Sequence, residues 1–178
     1  MFDNLNKNDD SFESDELDVH LILEFLKNNM SYPNLPKFNE WLDFLKTSLQ
    51  KMEYYQILDI FHIANIFNVL EERGESYGDV VYFKSCFNKI STFLQVDADY
   101  NKFIIMNLLS KYIRYQNSKN FDSLVDIIGY TLIFFFIKTS DLDNIPDAVI
   151  KIFVFALREI YYTKINLINK LKDNKKPE

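Results

Sequence analysis

The sequence predicts an all-α fold, a single-domain bundle or irregular array of about seven helices around a central apolar helix. The chain has 178 residues but only three Gly and four Pro. Sandwiches and barrels need many turn residues and doubly wound folds need glycine loops, which disfavours both classes. The hydrophobic fraction of 48%, with 17 Phe and 11 Tyr, excludes a mainly disordered chain.

Residues 1–13 are predicted to form a disordered acidic tail, 14–174 the helical domain and 175–178 a polar C-terminal end. The first 18 residues hold seven acids and one Lys, whereas the other 160 hold 19 acids and 19 bases. A body without a basic excess cannot neutralise many phosphates, so no nucleic-acid partner is expected.

The first two helices follow from apolar residues at helical spacing. One is expected over 15–29, after Ser14 as N-cap, with a stripe formed by Leu17, Leu21 and Phe25. Two prolines then interrupt the pattern, because a proline disfavours helix at the residue before it. The second helix is expected over 36–51, and its apolar face holds Phe38, Trp41, Leu42, Leu45, Leu49 and Met52.

The third segment, 53–73, has a polar residue at every third position from Glu53 to Glu71. Such a row drifts around a helix by about 60° per step, so no fixed side is polar. This pattern predicts one long helix that neighbouring helices cover on different sides at different positions along its length. Gly74 and Gly78 are expected to form its C-cap and the following turn.

Three further helices are expected over 79–95, 99–116 and 121–138. Asp79 or Ser76 is the candidate N-cap of the first, and Asp97 or Asp99 of the second. The third is nearly all apolar from Leu124 to Ile137, too short for a membrane span of about 20 residues. It is therefore predicted to be the most buried helix of a soluble protein.

The last helix is expected over 146–172, with Pro146 in its first turn. Its apolar seam comprises Ile150, Phe153, Leu157, Ile160, Ile168 and Leu171, interrupted by Lys164. The final two turns extend past the length of the other helices. An exposed stripe of this kind indicates a contact with another chain.

No pattern typical of catalysis or metal binding is found. His20 and His62 lie on different predicted helices without a second ligand at H-E-x-x-H spacing. Asp97, Asp99 and Asn101 fit the start of a calcium loop, but Lys102 and Leu108 occupy positions that need Gly and Glu. No cofactor or metal is expected, and the lone Cys86 is interpreted as a structural thiol of an intracellular, cytoplasmic or nuclear protein.

The segment Leu70-Glu71-Glu72-Arg73-Gly74-Glu75 resembles the L-x-x-x-G-[DE] core of a BH3 peptide. About seven helices around an apolar one would also be similar to the Bcl-2 fold, including its divergent viral versions. The Asn-Trp-Gly-Arg hallmark of that family is absent, since the only Trp is Trp41 in Glu40-Trp41-Leu42. The resemblance implies a regulator that binds a partner helix.

The leading hypothesis is a non-catalytic helical module or complex subunit that binds another protein, either a second copy or a larger complex. Tyrosine suits surfaces that are apolar at one end and wet at the other. The candidate partner-binding residues are Tyr54, Tyr55, Tyr161, Tyr162, Ile165, Ile168 and Leu171. The alternatives are the Bcl-2-like regulator and an enzyme whose site has no recognisable motif. The abundance of Lys and Asn over Arg and Ala further suggests an AT-rich genome.

Overall fold

The computed structural model describes residues 24, 37–51, 55–138 and 145–173. The acidic tail, most of the predicted 15–29 helix, His20, Tyr54 and the C-terminal end lie outside the described residues. The described part is a single all-helical domain without strands, which confirms the predicted fold class. Its helices are α1 (Phe38–Lys51), α2 (Tyr55–Ile63), α3 (Ile66–Tyr77), α4 (Val80–Phe93), α5 (Tyr100–Ser118), α6 (Phe121–Ile137) and α7 (Asp147–Asp173).

The buried face of α1 is the one that its sequence predicts. Phe38, Trp41, Leu42, Leu45 and Leu49 are all buried. The Phe38 and Trp41 rings stack with centroids 5.7 Å apart, and both contact the ring of Phe136 in α6. This aromatic cluster joins α1 to α6.

The prediction of one helix over 53–73 is wrong, because the chain breaks between α2 and α3. Asn65 adopts a left-handed conformation, with φ of 51°, and its N–H donates to the carbonyl of His62. Asparagine tolerates this conformation better than most residues. The break turns the chain between α2 and α3. Phe61 before it and Ile66 after it are both buried in the core.

The end of α3 lies beyond the predicted one. Gly74 remains inside the helix, and Gly78 is the residue that ends it, with φ of 82°. The N–H of Gly78 donates to the carbonyl of Gly74 over 2.9 Å. Only Gly78 has the backbone conformation that favours glycine, so the expectation of a C-cap at Gly74 is corrected.

Polar residues cap the next three helices. Asp79 accepts a hydrogen bond from the N–H of Val81 at the start of α4, and Asp99 accepts one from the N–H of Lys102 in α5. The Asn120 side chain does the same at the start of α6. These contacts satisfy backbone donors that have no partner inside a helix, and they confirm the predicted caps at Asp79 and Asp99.

Helix α6 has more buried residues than any other described helix, 12 of its 17. It packs against α1, α3, α5 and α7. The Phe135 ring meets the Phe153 ring of α7 edge to face, at a centroid distance of 5.4 Å. Three polar residues, Ser123, Asp126 and Thr131, are buried among these apolar side chains.

Helix α7 is about 40 Å long, since its 27 residues each advance by about 1.5 Å. Its N-terminal part is buried at Phe153, Leu157 and Ile160. Lys164, which interrupts the apolar seam, donates to the carboxylate of Asp59 in α2 over 2.8 Å. The seam therefore changes from apolar packing to an ion pair where α7 leaves the core.

None of the helices in the described part of the chain is long and apolar enough to cross a membrane.

Candidate functional site

A cleft of about 400 Å³ opens between α3, α4, α5 and α6, with Phe38 of α1 at one side. Its size falls in the range of ligand pockets, roughly 300–1,000 Å³. Most of its wall is apolar or aromatic, from Phe38, Leu70, Val80, Phe83, Tyr100, Phe103, Tyr130 and Ile133. Arg73, Lys111 and Asp126 are the charged residues of the lining.

All three glycines of the sequence line this cleft. A Cβ atom at Gly129 would lie 3.2 Å from a methyl carbon of Leu70, so its absence lets α6 approach α3 closely. Gly74 lies against the side chain of Asn39, where a Cβ would be 3.3 Å from the amide oxygen. In a chain so poor in glycine, this placement gives the cleft a backbone surface that larger residues would cover.

The charged group of the cleft is centred on Asp126, whose two oxygens contact different cations. The Nη2 atom of Arg73 is 2.6 Å from Oδ1, and the Nζ atom of Lys111 is 2.7 Å from Oδ2. Burial by itself would raise the pKa of Asp126, but the hydrogen bonds and charges of Lys111 and Arg73 outweigh it and lower the pKa. The carboxylate stays ionised, and the group as a whole carries one positive charge.

The two cations differ in how far they reach into solvent. The Arg73 side chain is 44% exposed, and that of Lys111 is 23% exposed. The guanidinium is thus available at the mouth of the cleft, and it has donors beyond the one that Asp126 uses.

The wall formed by α4 and α5 is a stack of aromatic rings. The rings of Phe83 and Phe87 each contact Tyr100, and Phe103 lies against both Phe87 and Tyr100, with centroid distances of 5.0–5.8 Å. Asn88 fixes the start of α5, since its side-chain oxygen accepts the N–H of Tyr100 over 2.9 Å. These contacts position a broad apolar surface toward the cleft.

Two titratable groups of the lining, Tyr100 and Asp126, are poorly suited to proton transfer near neutral pH. Burial, with a smaller contribution from Tyr130, raises the pKa of Tyr100 to about 12. Asp126 is held as a carboxylate by its two cations. Within the described lining, the arrangement offers apolar contact and positive charge, which are properties of a binding site.

The residues predicted to bind a partner lie elsewhere. Tyr161 is half-buried and Tyr162 is 47% exposed, with ring centroids 6.2 Å apart on α7. Ile165 is half-buried, whereas Ile168 and Leu171 are 41% and 62% exposed. Tyr55 begins α2 and Tyr54 lies outside the described residues. Of the five whose side chains the structure describes, on α7, none lines the cleft.

Sequence reasoning missed the cleft, although two signals pointed to it. Asp126 stands inside a nearly apolar helix, and a buried carboxylate needs cationic partners. Arg73 is the only basic residue of α3. Together they indicate a polar contact between distant helices, but the sequence does not say that Lys111 completes it.

The residues considered for metal binding do not come together in the described part of the chain, where no group of three potential ligands is found. His62 is exposed and packs edge-on against Phe67. Asp97, from the calcium-like segment, pairs with Lys102 over 2.9 Å, and Cys86 is half-buried in α4.

Comparison with known proteins gives no relative: no family model, no curated protein and no solved structure matches this chain.

Proposed function

We propose that the protein is a non-catalytic helical interaction module that receives a helix of another protein in the cleft between α3, α4, α5 and α6. The observation that carries this proposal is the junction of an aromatic wall with a cationic pair. Apolar grooves with few well-placed polar groups bind amphipathic helices through side chains spaced three and four residues apart.

The chemistry of the cleft defines the partner. Phe83, Tyr100 and Phe103 provide apolar and aromatic surface for leucine-like side chains. Arg73 and Lys111 leave one positive charge after Asp126 is neutralised. The partner is therefore an amphipathic helix with an apolar stripe and a carboxylate beside it, as a subunit of a larger complex would present.

Binding has better support than catalysis because the three charged residues of the cleft already pair with one another. Both oxygens of Asp126 contact cations, which stabilise the carboxylate and make it a weaker base. An enzyme is the alternative from another class, and its support would be turnover that depends on Asp126.

A Bcl-2-like regulator is the second candidate, and one observation favours it. The segment that resembles a BH3 core is helical within α3, where its Leu70, Arg73 and Gly74 line the cleft. A helix-binding regulator would use that same wall. Both hypotheses place the partner in the same cleft and differ in the identity of that partner, so identifying it distinguishes them.

The test compares two arginine substitutions in the full chain. Wild type, Arg73→Ala and the matched control Arg114→Ala, an exposed residue of α5 outside the cleft, serve as baits for affinity isolation from the native source. The protein retained by wild type is then purified and its affinity for each bait measured by calorimetry. We expect Arg73→Ala to weaken binding about 10-fold, which is about 1.4 kcal/mol, and Arg114→Ala to leave it unchanged. Equal affinity for both variants contradicts the cleft as the site.

A further inference from the structure

The cleft is elongated, and its two ends differ in chemistry. Lys111 lies eleven residues after Tyr100 on α5, and both residues line the cleft. Eleven residues make about three helical turns, so the two side chains share one side of α5 and are separated by about 16 Å along its axis. On α6, Asp126 lies at the Lys111 end, since the two are in contact, and Ile133 lies toward Tyr100 because the short connection makes α5 and α6 antiparallel. The cleft therefore has a charged end and an aromatic end.

The charged end suits a ligand group with one negative charge. Arg73, Lys111 and Asp126 together leave a single positive charge, and the other residues of the lining are uncharged. The guanidinium of Arg73 is partly exposed and has more donors than its contact with Asp126 uses. A single positive charge matches a carboxylate better than a phosphate group, which carries about −1.5 to −2 at neutral pH.

The aromatic end contains a buried hydroxyl without a partner. Tyr100 is 5% exposed, and its ring packs against those of Phe83, Phe87 and Phe103. Its hydroxyl makes no hydrogen bond with any described residue, and because it is not sealed from solvent, it opens into the cleft that Tyr100 lines. Burial raises the pKa of Tyr100 to about 12, so the hydroxyl keeps its proton and can donate it in a hydrogen bond. Leaving a buried donor unpaired is unfavourable, and an acceptor on a ligand would satisfy it.

We propose that the cleft binds a linear hydroxy acid, with its carboxylate at Arg73, its apolar chain along the aromatic wall and its hydroxyl oxygen accepting a hydrogen bond from Tyr100. A chain of about 12 carbons fits, because an extended chain advances about 1.2 Å per bond and so spans about 16 Å between its terminal oxygens. This ligand occupies the same cleft as the partner helix of the proposed function, on which the assignment rests, so the two would compete.

Calorimetry on the full chain with three defined probes tests this assignment. The probes are 12-hydroxydodecanoate, dodecanoate, which lacks the hydroxyl, and 1,12-dodecanediol, which lacks the carboxylate. We expect one 12-hydroxydodecanoate to bind per chain. Dodecanoate should bind about 5-fold more weakly because the Tyr100 hydroxyl stays unpaired. The diol should bind about 10-fold more weakly because Arg73 gains no anion.

Two substitutions assign these preferences to single residues. Tyr100→Phe is expected to bind both acids equally and to unfold at the same urea concentration as wild type, since the lost hydroxyl bonds to no described residue. Arg73→Ala is expected to bind the hydroxy acid and the diol equally. The matched controls lie outside the lining and should keep the wild-type preferences: Tyr82→Phe, at a 69% exposed position on α4, and Arg114→Ala, at an exposed position on α5.

Three results would overturn the proposal. If 12-hydroxydodecanoate shows no saturable binding, the cleft does not take such an acid. Equal affinity of wild type for the two acids, or a preference that persists in Tyr100→Phe, removes the role of Tyr100. An undiminished preference for the hydroxy acid over the diol in Arg73→Ala places the carboxylate elsewhere. The wild-type comparisons decide the question even where a variant fails to fold. No partner protein is present, so a failure here differs from a failure of the helix-binding test, in which the isolated protein binds Arg73→Ala and Arg114→Ala equally.

Discussion

The guanidinium of Arg73 lies 2.6 Å from the carboxylate of Asp126, and this ion pair joins α3 to α6 across 53 residues of sequence. Lys111 of α5 contacts the other carboxylate oxygen, so one buried acid connects three helices. The same three side chains line the cleft. Any change in Asp126 is therefore expected to alter both the packing of the helices and the charge of the candidate site.

Replacing Asp126 with Asn is expected to destabilise the fold by about 2 kcal/mol near neutral pH, because both cations lose a charged partner. The measurement is urea unfolding monitored by circular dichroism. Asp122→Asn, an exposed change in the same helix, is the control and should cost much less.

The cost of Asp126→Asn should also depend on pH. The pKa of Asp126 is lower in the folded protein than its ordinary value of about 3.9, so the unfolded chain binds the proton more tightly. The stabilisation is complete above that ordinary value and is lost as the pH falls through the folded pKa. Unfolding at pH 6 and at pH 3 should show a smaller difference between wild type and Asp126→Asn at the lower pH. A difference that does not change with pH would contradict the ion pair.

Replacing Tyr115 with Phe should destabilise the contact between α5 and α7. The buried hydroxyl of Tyr115 donates to the carboxylate of Glu159, and burial together with that contact raises its pKa to about 12. Hydrogen bonds to charged groups contribute about 1.5–3 kcal/mol. Because the folded pKa exceeds the ordinary value of about 10, the stabilisation is present below pH 10 and is lost as the pH rises through 12.

The Tyr115→Phe variant is compared with wild type by urea unfolding at pH 7 and pH 11. The free-energy difference between the two proteins should be smaller at pH 11. Tyr162→Phe, at a 47% exposed position on α7, provides the control and should have little effect at pH 7.

Replacing Phe135 with Ala is expected to cost about 3–5 kcal/mol, the range for removing a buried aromatic ring. Phe135 is 2% exposed and its ring packs edge-on against Phe153. Phe93→Ala removes an 84% exposed ring and should change stability by less than about 0.5 kcal/mol. Equal losses in thermal or urea unfolding would mean that Phe135 does not belong to the core.

The exposed end of α7 provides a prediction about assembly. Ile168 and Leu171 are 41% and 62% exposed, as the length of the helix led us to expect. Sedimentation velocity should detect a self-association that Ile168→Asp combined with Leu171→Asp weakens, because a charge in an apolar contact loses hydration. Ile113→Asp, at an exposed position on α5, should leave it unchanged. A monomer at every concentration, with or without the substitutions, would rule out a contact between copies.

Local patterns predicted much of the fold because their causes lie within a few residues. The apolar face of α1 follows from spacing, and Asp79 and Asp99 cap helices because their oxygens reach the next backbone donors. The break at Asn65 was missed because the sequence on both sides is compatible with helix. Phe61 and Ile66, on the two sides of the break, are both buried in the core, and the local pattern carries no sign of that tertiary packing.

The candidate site was harder to predict because it depends on helices that are distant in sequence. Asp126 is unusual within its apolar helix, but its partners Arg73 and Lys111 lie on two other helices, and tertiary packing alone brings the three together. The exposure of Ile168 and Leu171 in α7 follows from an estimate of helix length, so it was easier to predict than the cleft. Whether they contact another chain stays a prediction.

The helices that form the cleft differ in how much of each is buried, and this difference determines which side of the cleft opens more readily. In the described structure α4 buries only Val80 and Ser91, whereas α6 buries most of its length. Helices with few buried contacts open locally at a lower free-energy cost than core helices, and their amide protons exchange with solvent sooner. Displacing α4 would therefore widen the cleft at a lower free-energy cost than displacing α6, and the buried core around α6 would stay intact.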